Sequence, residues 1–215
     1  MKPRARTVCH IGGVQTSTCV LTLEGMNFGI VEQMGRALRG YASQPGRHRV
    51  KVDYPASASG RSIGAGCDGL DHHVTELSAR GEQFEILAHS QGAEAVGRWL
   101  RLRAGRPGAP SPMLLRRIIL LGNPERRLGG HLGWQFGGTR RTPTPETEYT
   151  TLDIARRRDP FANADCWGTR RRSRARMTAA RLTGLGADHI DYHDVAIEDC
   201  DVRAVSGNTR YLVAP

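Results

Sequence analysis

Phe84-Glu85-Ile86-Leu87-Ala88-His89-Ser90-Gln91-Gly92-Ala93-Glu94-Ala95-Val96 is a short apolar strand that breaks at a serine and continues as a helix. A serine on so tight a turn needs small residues two positions before and two after it, so that strand and helix can pass closely. Ala88 and Gly92 meet that need. The turn pushes the serine hydroxyl out at the carboxyl end of a sheet. The N–H of Gln91 then opens a helix, where it can hold a developing oxyanion. Serine is also a common helix cap, but the strand before Ser90 and the helix after it are the context that the nucleophile reading requires.

Working outward, Asp68 to Ala79 places Leu70, Val74 and Leu77 on one helix face and leads through Gly81 into the Ser90 strand. His72 and His73 on that helix read as surface histidines, because no H-E-x-x-H spacing accompanies them. After Ser90 the helix runs to about Leu102 and buries Val96, Trp99 and Leu100, and Gly105 to Pro112 is a linker. Arg117-Ile118-Ile119-Leu120-Leu121-Gly122 is a continuous apolar run, as expected of a strand buried on both faces of a parallel sheet. Alternating strands and helices point to an α/β fold.

Upstream, residues 6 to 12 read as a first strand ending at Gly12-Gly13, followed by a polar loop from Val14 to Thr18. Glycines directly after a first strand let the backbone turn under a ligand, so the N–H of Val14, with Gly13 next, is the expected second oxyanion donor. Asn27 to Leu38 carries Phe28, Val31, Met34 and Leu38 at helical spacing, closed by Gly40. Arg49 to Tyr54 is a second strand stopped by Pro55, and Ala56 to Gly66 reads as a Ser/Gly-rich loop bordering the site.

Downstream, Asn123-Pro124 ends the buried strand. Residues 123–147, rich in Gly, Arg, Thr and Pro, form a long insertion able to cover or line the site. Trp134 and Phe136 within it are either a local mini-core or part of an acyl-binding wall. Tyr149 to Ile154 is another strand, and Asp159 follows at its carboxyl end, where a triad acid belongs. Asp153 and Asp165 are its rivals. Arg170 to Arg176 opens a helix running to about Leu182 and reads as a solvated basic face. His189 is the first candidate for the base and His193 the second. The order Ser90, Asp159, His189 is that of the α/β hydrolases.

The chain has 215 residues, enough for one domain with one substantial core, and a formal net charge of +10. The charge raises nucleic acid or anionic envelope polymers as partners. No aromatic-interleaved basic stripe accompanies it, so a solvated basic surface is expected rather than a specific nucleic-acid site. The basic start is followed by too short and polar a stretch for a signal-peptide core, and no apolar run is long enough to span a membrane. Synthesis as a soluble cytoplasmic protein is the expectation. Five cysteines without close pairs indicate neither a zinc knuckle nor a disulfide frame, though one Cys166–Cys200 bridge is compatible with the spacing.

Four segments carry a resemblance: Ile11-Gly12-Gly13; Val52-Asp53-Tyr54-Pro55-Ala56; Ala88-His89-Ser90-Gln91-Gly92-Ala93; and Gly122-Asn123-Pro124 with Gly129-Gly130. With them the chain resembles the cutinase-like serine esterases, above all the PE-PPE-type α/β-hydrolase domain of actinobacteria and related phage esterases. That group commonly has G-Y-S-Q-G-A at the serine, so Ala88 and His89 depart from it. An Asp-Pro commonly supplies its acid, matching Asp159-Pro160, and an H-x-x-Y its histidine, matching His189 to Tyr192. The resemblance implies a three-layer α/β-hydrolase sandwich with a mainly parallel central sheet. It also implies an esterase acting through Ser90, Asp159 and His189 on acyl or lipid esters such as envelope mycolyl esters, without metal or organic cofactor. Cutinases are secreted and disulfide-bonded; a phage-encoded enzyme released at lysis or carried on a virion would reconcile an envelope substrate with the missing signal. The alternative is a noncatalytic structural or attachment protein, such as a virion component, that kept the fold and never assembles the three residues.

Overall fold

The computed structural model describes residues 17–27, 32–131, 141–168, 175–179 and 187–215. Its centre is a seven-stranded sheet built from β1 (Thr18–Leu23), β2 (Arg47–Lys51), β3 (Phe84–His89), β4 (Leu115–Leu121), β5 (Thr151–Arg156), β6 (Asp201–Ser206) and β7 (Thr209–Ala214). The strand order is β2-β1-β3-β4-β5-β7-β6. Every neighbouring pair is parallel except β6 with β7, an antiparallel hairpin that adds an edge. The register aligns Leu23 with Ala88 and His89 with Leu121, so β1, β3 and β4 end together at one rim.

Two long helices, α2 (Ser62–Ala79) and α3 (Gln91–Arg103), pack on one sheet face over Leu21, Ile86 and Ile118, and α3 contributes Trp99 to that core. Among the described residues the other face is covered by short pieces: α1 (Ala37–Gly40), Tyr41–Ser43 and the segment holding Tyr192, Val195 and Ile197. The α/β-hydrolase architecture is therefore present, with turns at 32–36 where the sequence suggested helix. No helix of the described residues is long and apolar enough to cross a membrane.

Several boundaries differ from the sequence expectation, each for a visible reason. Thr18, read as the end of a polar loop, opens β1, whose Cys19 to Leu23 form a fully buried strand beside β3. Residues 6–14 lie outside the described residues. The expected helix over Asn27 to Leu38 is absent at 32–36: the N–H groups of Gln33 and Met34 are taken instead by the buried carboxylate of Glu24, at 3.0 and 3.1 Å. Met34 and Leu38 are nevertheless core residues. Leu38 and Arg39 adopt left-handed φ of 52° and 55° and donate their N–H groups to Tyr192 O and His193 O, both at 2.9 Å. Two such residues cost about 1–2 kcal/mol each, so the tertiary contacts overrule local preference.

Helix α2 starts at Ser62, not Asp68, inside the stretch read as a Ser/Gly loop. Its glycines serve close packing. A Cβ at Gly66 would come within 3.1 Å of both Ala95 and Tyr54, and one at Gly69 within 3.1 Å of Val52. Cys19, Cys67, Cys166 and Cys200 are free, so the Cys166–Cys200 bridge does not form. Of the 123–147 insertion, the described parts 123–131 and 141–147 carry no helix or strand, and Trp134 and Phe136 lie outside the described residues. Arg170 and Leu182 lie outside as well, while 175–179 are helical.

The insertion contributes one wholly buried cation. The side chain of Arg126 is 0% exposed, donates from Nη1 to Leu212 O at 2.9 Å, and lies 3.9 Å from Asp153 Oδ1. Burial pushes the Asp153 carboxyl up to about 6, against the opposing pull of Arg126. Because the folded value is above the unfolded one of about 4, the folded state holds the proton through that window, and this contribution is lost as pH rises through 6. Arg126→Met should therefore cost about 3–5 kcal/mol at pH 8, where a buried carboxylate loses its counter-charge, and clearly less at pH 5. Urea unfolding at the two pH values measures this, and equal losses would contradict it.

Candidate active site

Ser90 stands between β3 and α3 with φ 49° and ψ −113°, a conformation that costs a non-glycine residue about 1–3 kcal/mol. It is held there by Ser90 N–H to Leu121 O at 2.9 Å and by Glu94 N–H to Ser90 O at 3.1 Å. Gly92 is obligatory: a Cβ there would sit 2.6 Å from Leu23 O and 2.7 Å from Glu24 O. Ala88 is fully buried. The side chain of Gln91 is tied down on both ends, accepting from Ser62 Oγ at 2.9 Å and donating to Ser57 O at 2.8 Å. Its backbone N–H, first in the helix, has no intrahelical acceptor.

The structure brings three of the expected residues into one chain of contacts. Ser90 Oγ is 2.8 Å from His189 Nε2, and His189 Nδ1 is 3.0 Å from both Asp159 oxygens. Asp159, 0% exposed, also accepts N–H bonds from Phe161 and Ala162 at 2.8 and 2.9 Å and the Tyr192 hydroxyl at 3.1 Å. Burial alone would raise its pKa, but His189 and these donors hold the carboxyl below the usual range, so it is ionised. An ionised acceptor at Nδ1 assigns the His189 proton to that nitrogen and leaves Nε2 with a lone pair facing the serine hydroxyl. Gly122, with φ 54°, makes the room, since a Cβ there would lie 3.1 Å from Asp159 Oδ2 and 3.2 Å from His189 Nδ1.

The histidine segment is pinned from several sides. Arg156 donates to Asp191 O at 2.5 Å and pairs with Asp194, and the Arg156 N–H donates to the Tyr192 hydroxyl at 3.1 Å. Burial holds the Tyr192 phenol well above its ordinary pKa, so it stays a donor to Asp159. Phe161 packs on the His189 ring at 4.5 Å between centroids, and His131 meets Phe161 edge-on. The alternative candidates are elsewhere. His193 Nδ1 faces Asp191 at 3.5 Å, Asp153 is committed to Arg126 and Asn123, and Asp165 pairs with Arg203.

Val14, the expected second oxyanion donor, lies outside the described residues. The strand beside β3 is Thr18–Leu23, so the loop leaving its carboxyl end is 24–27, and this loop reaches the serine: a Cβ at Gly25 would be 3.3 Å from Ser90 Cβ. Met26 follows it at the surface. Sequence reasoning missed this loop, although the apolar run Cys19 to Leu23 ending in Glu-Gly was its signal. Among the described residues no group of three or more His, Cys, Asp or Glu is placed to hold a metal ion; His72 instead lies 3.6 Å from Glu76 at the surface.

No protein-family model matches the chain. In sequence it is 30% identical over 132 residues to Esterase PE16 of Mycobacterium tuberculosis, a match covering 55% of this chain and 24% of that protein. Among solved structures it is similar to a novel cutinase-like protein from Cryptococcus sp., with a TM-score of 0.55 and 17% identity, covering 78% of this chain and 91% of the other. It is also similar to a mycobacteriophage lysin B, with a TM-score of 0.41 and 21% identity over 53% of this chain and 48% of that one. The Cryptococcus similarity shows the fold, and with the sequence match it supports the cutinase-like resemblance.

Proposed function

We propose that this chain, a cutinase-like α/β hydrolase by its fold, is a serine esterase that cleaves carboxylic esters through an acyl-enzyme. The observation that carries the reading is the continuous Ser90–His189–Asp159 hydrogen-bond chain, at 2.8 and 3.0 Å. Ser90 Oγ attacks the ester carbonyl while His189 Nε2 takes its proton. Asp159 orients the ring and stabilises the imidazolium. The N–H groups of Gln91 and Met26 hold the tetrahedral oxyanion, each lowering the barrier by about 3–4 kcal/mol. His189 then protonates the leaving alcohol, and water, activated by the same nitrogen, releases the acid. The noncatalytic alternative requires that no histidine nitrogen reach Ser90, and the 2.8 Å contact favours the enzyme.

Substrate class follows from the relative named an esterase and from the charge. An acyl or lipid ester is the reading, with an envelope mycolyl ester as its finer form and the excess of basic residues holding the protein near an anionic polymer. A fluorophosphonate probe tests the chemistry independently of substrate. Covalent labelling of the wild type at Ser90, absent in Ser90→Ala, is expected; a wild type that resists labelling, or a variant labelled equally, would refute the esterase reading.

A further inference from the structure

His89 is the one residue of the serine turn that departs in chemistry from the tyrosine common in the resembling family. It lies on the sheet face opposite α2 and α3 and is 4% exposed. Its Nε2 is 2.6 Å from the main-chain oxygen of His189. A carbonyl oxygen only accepts, so Nε2 carries the proton and donates. Burial holds the His89 pKa down to about 4, so the ring is neutral at pH 7. The groups facing it are His189, Asp159, His193 and Tyr192.

This one ring touches three parts of the site. It continues β3 directly into Ser90. Its centroid is 5.3 Å from that of His189 and 5.8 Å from that of Tyr192. Its Nδ1 looks toward the loop beside the serine, where a Cβ on Gly25 would come within 2.5 Å. Other clamps on the histidine segment act at Asp191, Tyr192 and His193. The His89 bond reaches the main chain of the residue whose ring meets Ser90.

We propose that His89 is a positioning residue: by donating to the His189 carbonyl it fixes the backbone from which the base hangs, and so the Ser90–His189 distance. This rests on the assignment of Ser90 and His189 as nucleophile and base. A displacement of about 1 Å at a reacting pair can cost roughly 100-fold in rate, which sets the size of the effect. The bond also explains why a histidine is compatible with this turn: its Nε2 spans to the loop, and its neutral ring adds no charge beside His189.

The test compares His89→Phe, which keeps a ring and loses the donor, with His89→Gln, which keeps an N–H donor of similar reach. Turnover of p-nitrophenyl butyrate, fluorophosphonate labelling rate and thermal unfolding are measured, and the crystal structure of His89→Phe is solved. Expected are a kcat lower by about 10- to 100-fold in His89→Phe with KM within about twofold, parallel slowing of labelling, substantial recovery in His89→Gln, and a Ser90–His189 separation beyond hydrogen-bond reach in the Phe variant. The proposal fails if His89→Phe keeps kcat and the separation of the wild type, or if Gln recovers nothing over Phe while both remain folded. Loss of Ser90-dependent labelling in the wild type itself would instead overturn the esterase reading, and the crystallographic separation still decides the positioning role.

Discussion

Ser90→Ala should reduce hydrolysis of p-nitrophenyl butyrate by about 10⁴- to 10⁶-fold while leaving the fold intact. Losing the nucleophile removes the covalent route altogether, and what remains over water is the contribution of oxyanion donors and binding. The fold should survive because, among the described residues, the hydroxyl hydrogen-bonds only to His189 Nε2. The backbone strain at φ 49° is borne by alanine as by serine. Purified variant and wild type are compared by initial rates and by thermal unfolding. A variant within tenfold of wild-type rate means that another group attacks the ester; a variant that does not fold leaves the matched His189→Ala variant, with the same expected loss, as the measurement.

Asp159→Asn is the second large effect, about 10⁴-fold in kcat. The carboxylate accepts at Oδ1 from the N–H groups of Phe161 and Ala162, so the amide oxygen of an asparagine must occupy that position. Its NH₂ then takes the other side, where Tyr192 and His189 Nδ1 now offer their own protons. The ring relieves the clash by moving its proton to Nε2, and in that tautomer it cannot accept from Ser90. The pH dependence follows in sign. Asp159 is held below the usual carboxylate range in the folded protein, so its contribution to stability is present above the unfolded value of about 4 and is lost as pH falls through the lower folded value. Wild type should therefore lose part of its stability on acidification below pH 4, and Asp159→Asn should lose less over the same range. Steady-state kinetics and acid titration of unfolding check both statements; near-wild-type kcat in Asp159→Asn would remove the acid from the mechanism.

Much of this site was legible locally. An uninterrupted apolar strand, a serine between two small residues and a helix are adjacent in sequence, and their steric requirement at Gly92 is met by backbone atoms of the neighbouring strand. The candidate acid was legible because Asp159 follows closely on a strand end, and the structure holds it in its own turn through N–H groups two and three residues on. The β6–β7 hairpin was missed although Gly207-Asn208 between two alternating segments is a turn signal. The expected helix over Asn27 to Leu38 had the right apolar spacing, but at 32–36 the backbone is not helical. Periodicity reports which residues are buried, and Met34 and Leu38 are buried, but a carboxylate from Glu24 took the N–H groups a helix would have used.

The sequence by itself determined the turn that carries the candidate nucleophile Ser90, the strand-and-helix frame around it and the chain order of Ser90, Asp159 and His189, because the turn and its frame depend on residues next to one another. Only the tertiary structure shows that His189, rather than His193, reaches Ser90, for the two sit in one polar segment with no local distinction. That choice is made by Leu38 and Arg39 holding the Tyr192 and His193 carbonyls, by Arg156 gripping Asp191 and by His89 reaching the His189 carbonyl. Which loop neighbours Ser90 was likewise decided by pairing: β1 is the strand that lies against β3, and the loop leaving its end brings Gly25 beside the serine. Contacts between distant parts of the chain carry no periodic trace in sequence, and they alone set which of several similar residues arrives within hydrogen-bond reach.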